Sequence, residues 1–187
     1  MTKLNYVTSY RTWRIAYMGP MNMDDLSYGL MSTAFLLNMW TPREIRKAIC
    51  YADGRSHELN QDVAPDINCA CGYYALKKNN SNQVISLQQS SVFHVSGRVA
   101  GWGGVIEHEL GYRFEYAYPL DLTETNQDSA KCCQCLGEPV SKLAAGYHLI
   151  NWMCDRCIER PSPYRYIPCN DSPDEVVERL RHKYLDA

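Results

Sequence analysis

The chain has 187 residues, a formal net charge of −2, and near-average shares of hydrophobic (45%) and charged (21%) residues. This composition supplies a core and excludes wholesale disorder, collagen and coiled coil. We expect a cytoplasmic protein without a membrane segment, because no run approaches about 20 apolar residues and the first residues lack a signal peptide's apolar stretch. The near-neutral charge argues against tight, sequence-independent nucleic-acid binding, which depends on many phosphate contacts.

The predicted elements begin with a short helix at Thr41, where Thr41, Pro42 and Glu44 form a capping-box pattern. A polar loop follows over residues 53–68. Beyond it, glycines separate runs typical of strands, which we predict at residues 72–77, 84–88, 91–95, 99–108 and 112–118. A second capping box at Ser172 predicts a C-terminal helix with an apolar stripe formed by Val176, Val177, Leu180 and Tyr184.

Nine cysteines are many for a chain of this size, and in a reducing compartment they favour metal ligation over disulfides. Cys132 and Cys135 form one C-x2-C pair, and Cys154 and Cys157 form a second after 18 intervening residues. A hairpin that returns the second pair to the first would place four thiolates about one zinc ion, with Gly137 as the permissive residue of the first knuckle. Residues 130–160 resemble a zinc ribbon or a treble clef, and a closed four-thiolate site of this kind is structural. Buried free thiols or a catalytic disulfide are the alternatives.

The predicted fold class is therefore α+β: a small bent antiparallel sheet or partly open β-barrel with short helices, followed by a C-terminal zinc ribbon and a terminal helix. The polar segment 121–131 predicts a linker. On this division, residues 1–120 form a β-rich body and residues 132–187 form the ribbon module.

A second set of metal-ligand residues lies in the body. Cys50, His57, Cys69 and Cys71 follow the spacing C-x6-H-x11-C-x-C, which predicts a second zinc site with three cysteines and one histidine. The alternative is three buried cysteines and a surface histidine. A site with three protein ligands and a water would be catalytic. Residues that could replace His57 as the ligand are Asp53, Glu58, His94 and His108. The remaining cysteines, Cys133 and Cys169, have no assigned role.

An ordered series in the body begins with Arg11-Thr12-Trp13-Arg14, Trp40-Thr41-Pro42, Ala48-Ile49-Cys50, His57 and Ala64-Pro65. It continues with Cys69-Ala70-Cys71-Gly72-Tyr73-Tyr74-Ala75, Gly97-Arg98-Val99, Trp102-Gly103-Gly104-Val105, His108, Gly111-Tyr112-Arg113, Glu115, Ala117 and Pro119. Over about residues 9–120, this series resembles a set of small, functionally uncharacterised phage and bacterial proteins. Their shared pattern is C-x-C-G-h-Y-A … W-G-x-V … G-Y-R-x-E-x-A-x-P, where h is hydrophobic. The resemblance brings no known activity. It favours Cys50, His57, Cys69 and Cys71 as one unit, and it implies a host-takeover or defence role in a host cytoplasm.

A hairpin with its turn at Leu110 and Gly111 would carry charged and aromatic residues. With a two-residue turn, His108 lies opposite Arg113 and on the face of Glu115. Such a face could perform acid–base work on a phosphate ester, or it could be a solvated ion-pair ladder. The side chains that could bind a ligand are Trp102, His108, Tyr112, Arg113 and Glu115.

These observations predict a zinc-stabilised binding protein, rather than an enzyme, that engages a protein partner or a specific nucleic acid or nucleotide. Phosphate-binding loops and local nucleophile signatures are absent from the sequence. Two alternatives remain open. One is a zinc-dependent hydrolase or nuclease that uses the body site with Glu107, His108 and Glu115. The other is a protein with a pocket for a nucleotide or modified base, built from Trp102 and the neighbouring tyrosines.

Overall fold

The computed structural model describes residues 5–18, 27–32, 39–50, 64–79, 91–124, 130–137, 140, 142–146, 148–159 and 166–186. The strands in this part are β1 (Val7–Met18), β2 (Ser27–Ser32), β3 (Arg46–Lys47), β4 (Tyr73–Leu76), β5 (His94–Glu107), β6 (Gly111–Pro119), β7 (Thr123–Glu124), β8 (Lys142–Gly146), β9 (Leu149–Met153) and β10 (Ile167–Pro168). The helices are α1 (Asp155–Ile158) and α2 (Pro173–Tyr184). No helix in these ranges is long and apolar enough to cross a membrane.

Four antiparallel strands close into a small barrel. β5 pairs with β1 on one side and β6 on the other, and β4 joins β6 back to β1. The register of β5 shifts between Trp102 and Val105, and Gly103 within this stretch has a φ of +78°. Such a bulge bends a strand and increases its twist, which helps a four-stranded sheet to close. The predicted α+β class with a small bent antiparallel sheet or barrel is confirmed.

The long strand β1 belongs to two parts of the sheet. Its residues 7–14 pair with β5 in the barrel, and residues 13–18 pair with β2. Ala16 of β1 also pairs with Leu149 of β9, from which the sheet continues through β8 to β10. The cysteine-bearing C-terminal hairpin therefore extends the same sheet as the barrel.

The buried core runs through both parts. One hydrophobic cluster contains Trp13 and Phe114 from the barrel strands together with Leu143, Ile150 and Leu180 from beyond residue 132. The predicted linker contains β7, which pairs with β5, and residues 125–129 of it lie outside the described part.

Helix α2 has the predicted capping box. The Glu175 backbone N–H donates to Ser172 Oγ at 3.3 Å, and the Ser172 N–H donates to the Glu175 carboxylate at 2.7 Å. The predicted apolar stripe is buried. At its C-terminal end, the Tyr184 hydroxyl donates to the Trp40 carbonyl at 2.7 Å and accepts from the Leu30 N–H at 3.0 Å. These bonds fasten the helix to the sheet.

Several predicted elements differ from the structure. The helix predicted at Thr41 is wrong, because a turn with Arg43 at φ 60° leads into β3. β3 pairs with β6, and the Ala48 N–H donates to the Glu115 carbonyl at 2.7 Å, so sheet hydrogen bonds replace helical ones. The runs at 91–95 and 99–108 contribute to one long strand, β5, rather than two. The sequence analysis missed β1 and β2, and the predicted strand at residues 84–88 lies outside the described part.

Candidate functional site

Two groups of cysteines come together in the described residues. The first, the ribbon cluster, comprises Cys132, Cys135, Cys154 and Cys157, whose sulfur atoms all lie within 4.8 Å of one another. The Sγ atoms of Cys135 and Cys154 are 3.8 Å apart. Zinc–thiolate bonds of about 2.3 Å in a tetrahedron place their sulfurs about 3.8 Å apart, whereas a disulfide bond is about 2.05 Å long. The four thiols therefore lie close enough together to bind one metal ion.

The backbone around the ribbon cluster forms two knuckles. In the first, the Leu136 N–H donates to the Cys132 carbonyl at 2.9 Å, and Leu136 has a φ of 55°. The prediction that Gly137 supplies the permissive backbone is wrong, because Leu136 is the residue in the left-handed region. In the second, Cys154 lies between β9 and α1 as the N-cap residue of α1, and its carbonyl accepts from the Cys157 N–H at 3.0 Å. The hairpin β8–β9 thus returns the second cysteine pair to the first.

The protonation of the ribbon cluster is uneven. Burial alone would raise the pKa of the Cys132 thiol. Hydrogen bonds from the backbone N–H groups of Cys154, Cys135 and Gln134 outweigh burial, and the pKa is lowered to about 6. Burial raises the pKa of Cys157 to about 12, and the neighbouring thiols add to this. Burial also raises the pKa of Cys154. Because a metal ion binds thiolates, loading this cluster at neutral pH releases protons from the neutral thiols.

The second group, the body cluster, comprises Cys50, Cys69 and Cys71, whose sulfurs also lie within 4.8 Å of one another. The Sγ atoms of Cys50 and Cys69 are 3.5 Å apart, again too far for a disulfide bond. Burial raises the pKa of Cys71 to about 11, although the Asp66 N–H donates to its sulfur at 3.4 Å. Three of the four predicted ligands are therefore close enough together to bind a metal ion.

No fourth candidate ligand joins the body cluster among the described residues. The predicted ligand, His57, and the predicted substitutes Asp53 and Glu58 all lie in residues 51–63, outside the described part. His94 and His108 were the other predicted substitutes. Neither places a ring nitrogen within 4.8 Å of all three thiols, so the structure does not support either as the ligand.

Arg113 holds the loop that carries two of these cysteines. Its side chain is buried, with 4% of the residue exposed. Nη1 donates to the carbonyls of Asp66 at 3.1 Å and Cys71 at 3.2 Å, and also to the Cys69 carbonyl. Nε donates to Nε2 of His108 at 2.8 Å. The guanidinium thus supplies hydrogen-bond donors to the carbonyls of the loop 66–71, which lies outside the strands, and orders this loop beside Cys50.

The hairpin β5–β6 separates the residues proposed for acid–base work. Its two-residue turn is at 109–110, because the His108 N–H donates to the Gly111 carbonyl at 2.8 Å, so His108 lies diagonally from Arg113. Glu107 pairs with Lys77 at 2.6 Å. Glu115 accepts from the Gly104 N–H at 2.9 Å and lies 3.9 Å from the Lys47 ammonium. Each of the three side chains therefore has its own separate partners.

Among the described residues, the cysteine clusters are the only groups of three or more candidate ligands within 4.8 Å.

A cleft of about 540 Å³ opens beside the body cluster. Of the predicted ligand-binding residues, His108, Tyr112 and Arg113 line it, whereas Trp102 and Glu115 do not. Trp102 instead stacks on Tyr116, with ring centroids 5.9 Å apart.

Among the cleft residues that the sequence analysis missed as parts of a site are Tyr10, Arg11 and Tyr74. The sequence does contain a signal for β1, the strand that carries Tyr10 and Arg11. Large apolar residues alternate along it at Trp13, Ile15 and Tyr17, and the structure buries all three. Burial lowers the pKa of Arg11 from 12.5 to about 10, so its guanidinium is still charged at neutral pH.

Comparisons of the chain with protein-family models, with curated proteins and with solved structures give no match. The function is therefore argued from the two cysteine clusters and the cleft.

Proposed function

We propose that this chain is a zinc-stabilised binding protein, in which zinc in the two cysteine clusters is structural. The observation that carries the proposal is the convergence of four thiols in the ribbon cluster and three in the body cluster, each within 4.8 Å. Zinc is the metal that four-cysteine and three-cysteine, one-histidine sets most often hold in proteins. In this proposal His57 is the fourth ligand of the body cluster.

The position of the clusters supports a structural role. The ribbon cluster joins the end of β9 to the segment 132–137, and the body cluster joins Cys50, just after β3, to the loop 66–71 before β4. Each cluster therefore cross-links a segment outside the strands, 132–137 or 66–71, to another part of the chain. A metal ion that binds the folded state alone stabilises it by mass action.

The partner is a protein or a specific nucleic acid or nucleotide, in a cytoplasmic setting. The net charge of −2 disfavours bulk nucleic acid, whose binding depends on many cationic contacts. The resemblance of residues 9–120 to phage and bacterial proteins supports a host-takeover or defence role. A gel-shift series against salt concentration and a pull-down from bacterial lysate test for the partner, and a lack of partner in both assays would count against the binding function.

The metal part of the proposal is tested by elemental analysis and zinc X-ray absorption on the purified full chain. We expect two zinc ions per chain. One should have four sulfur ligands, and the other three sulfurs and one nitrogen, with zinc–sulfur distances of about 2.3 Å. A single zinc ion with only sulfur ligands would show that the body cluster binds no zinc. An oxygen ligand on the second zinc would favour the zinc hydrolase or nuclease instead.

Serine variants of cysteines inside and outside the clusters provide the matched control. Cys157→Ser should lose the ribbon zinc, and Cys71→Ser should lose the body zinc. Cys133→Ser and Cys169→Ser should retain both ions, because neither residue belongs to a cluster. Equal zinc content in all four variants would refute the assignment of the ligands.

A further inference from the structure

The wall of the cleft contains a buried guanidinium that has no acidic partner among the described residues. Arg11 is 8% exposed, and its Nη2 donates to Ser32 Oγ at 2.9 Å while Nη1 donates to the Tyr74 carbonyl. Its Cζ lies 5.5 Å from the ring centroid of Trp40 and 5.8 Å from that of Tyr73. Its Nε has no hydrogen-bond partner among the described residues. The positive charge is thus surrounded by neutral groups in this part of the chain.

Arg113 is a second buried guanidinium on the same wall. Its Nε and Nη1 donate to carbonyls and to an imidazole nitrogen, all of which are neutral acceptors. None of the described residues that line the cleft is an aspartate or glutamate. Burial of a cation without a counter-charge is unfavourable, and a carboxylate or phosphate is the group that two guanidinium ions recognise best.

Much of the rest of the wall is apolar or aromatic, although Thr12, Asn68, Asn79 and His108 also line it. Ile67 and Leu110 line the cleft with 70% and 74% of their surfaces exposed, and Tyr10 and Tyr74 line it as well. Tyr112 is less available for stacking, since its ring already stacks on Phe114 at 5.6 Å. Exposed apolar side chains beside tyrosine rings suit a flat aromatic group, which would cover them from water.

We propose that this cleft, between the guanidinium groups of Arg11 and Arg113 and the rings of Tyr10 and Tyr74, binds a small aromatic anion that carries one phosphate or carboxylate group. This inference deepens the binding function proposed above, because it assigns a ligand class to the molecule. A volume of about 540 Å³ is within the range of about 300–1,000 Å³ that is usual for small-molecule sites. The anionic group lies toward the arginines, and the aromatic body lies against the tyrosines and the apolar mouth.

The inference is tested by NMR titration of the zinc-loaded full chain with matched probes. The phosphate probes are the four 5′-ribonucleoside monophosphates, each compared with its neutral nucleoside. The carboxylate probe is benzoate, compared with benzamide. We expect at least one anion to saturate, with amide shifts concentrated in residues 67–76 and 108–113, and its neutral counterpart to bind at least about tenfold more weakly. Equal binding of charged and neutral probes would overturn the proposal, as would no binding of any probe at millimolar concentration.

Variants at the mouth test the charge dependence without disturbing the buried arginines. Leu110 is exposed, so Leu110→Glu, Leu110→Lys and Leu110→Gln should all fold. We expect Leu110→Glu to weaken anion binding about threefold to tenfold relative to Leu110→Gln, and Leu110→Lys to strengthen it. Ile45→Glu is the control, since Ile45 is 61% exposed and does not line the cleft. Identical affinities for the three Leu110 variants would refute an anion site.

The zinc content of each NMR sample separates this inference from the proposed function. A chain with both zinc ions that binds no probe overturns the ligand assignment alone. A chain without zinc that still binds an anion overturns the metal sites alone.

Discussion

The replacement of Arg113 by methionine should release the loop that carries Cys69 and Cys71. The guanidinium is buried and serves the carbonyls of Asp66, Cys69 and Cys71 as well as the His108 ring. Methionine fills part of the volume but donates no hydrogen bond. The carbonyls of residues 66–71 would then be left beside an apolar side chain.

The size of the destabilisation follows from the two Arg113 nitrogen atoms that donate, Nε and Nη1. Hydrogen bonds to a charged group contribute about 1.5–3 kcal/mol each, so two donors correspond to about 3–6 kcal/mol. Removal of a buried charge that has no acidic partner among the described residues offsets part of this loss. We expect a net destabilisation of about 3 kcal/mol, which corresponds to roughly 100-fold weaker zinc binding by the body cluster if the loop alone loses its order.

The assay is zinc transfer to a chromogenic chelator, followed over time in parallel with urea unfolding. In Arg113→Met, the zinc of the body cluster should transfer much faster, whereas the zinc of the ribbon cluster should keep its wild-type rate. Arg98→Met is the matched control, because Arg98 is an exposed arginine that pairs with Asp121, and it should cost less than about 1 kcal/mol. Unchanged zinc transfer in Arg113→Met would refute the role of the guanidinium in the loop, and equal acceleration of both phases would indicate global unfolding instead.

Three further changes test the fold. Burial lowers the pKa of His94 from 6.5 to about 4, so the folded state holds the neutral ring. As the pH falls from 6.5 to 4, the wild type should therefore lose up to about 3 kcal/mol of unfolding free energy relative to His94→Gln. Urea midpoints of the two proteins that stay parallel across this pH range would contradict the expectation. Gly101→Ala would drive a Cβ into an aromatic ring of β6 and should cost about 1–3 kcal/mol by urea unfolding; a wild-type midpoint would argue against the tight barrel. Tyr184→Phe should cost about 1–3 kcal/mol in thermal unfolding, because the Leu30 N–H and the Trp40 carbonyl lose their shared partner, and an unchanged melting temperature would refute that link.

Features with a local cause could be predicted from the sequence. Ser172 and Glu175 cap the last helix because the two residues are three positions apart, and that spacing alone brings their side chains to each other's N–H groups. The two C-x2-C pairs likewise predict a cluster, since each pair forms its own knuckle and a single hairpin joins them. The strand β6 was predicted within a residue at each end from its alternating aromatic residues.

Features that depend on distant partners needed the tertiary structure. Thr41 and Glu44 favour a helix locally, but the pairing of β3 with β6 supplies sheet hydrogen bonds that a helix would lose. In the sequence alone, Arg113 is predicted to be one residue of a charged strand face. It becomes a buried hydrogen-bond donor because the loop 66–71, some forty residues earlier in the chain, packs against it. Arg11 joins the same cleft because the barrel closes between β1 and β4. The sequence by itself therefore determined the cysteine knuckles and the helix cap, which rest on contacts between near neighbours. The tertiary structure alone decided the cleft, because burial of its charges depends on strands that meet only when the barrel closes.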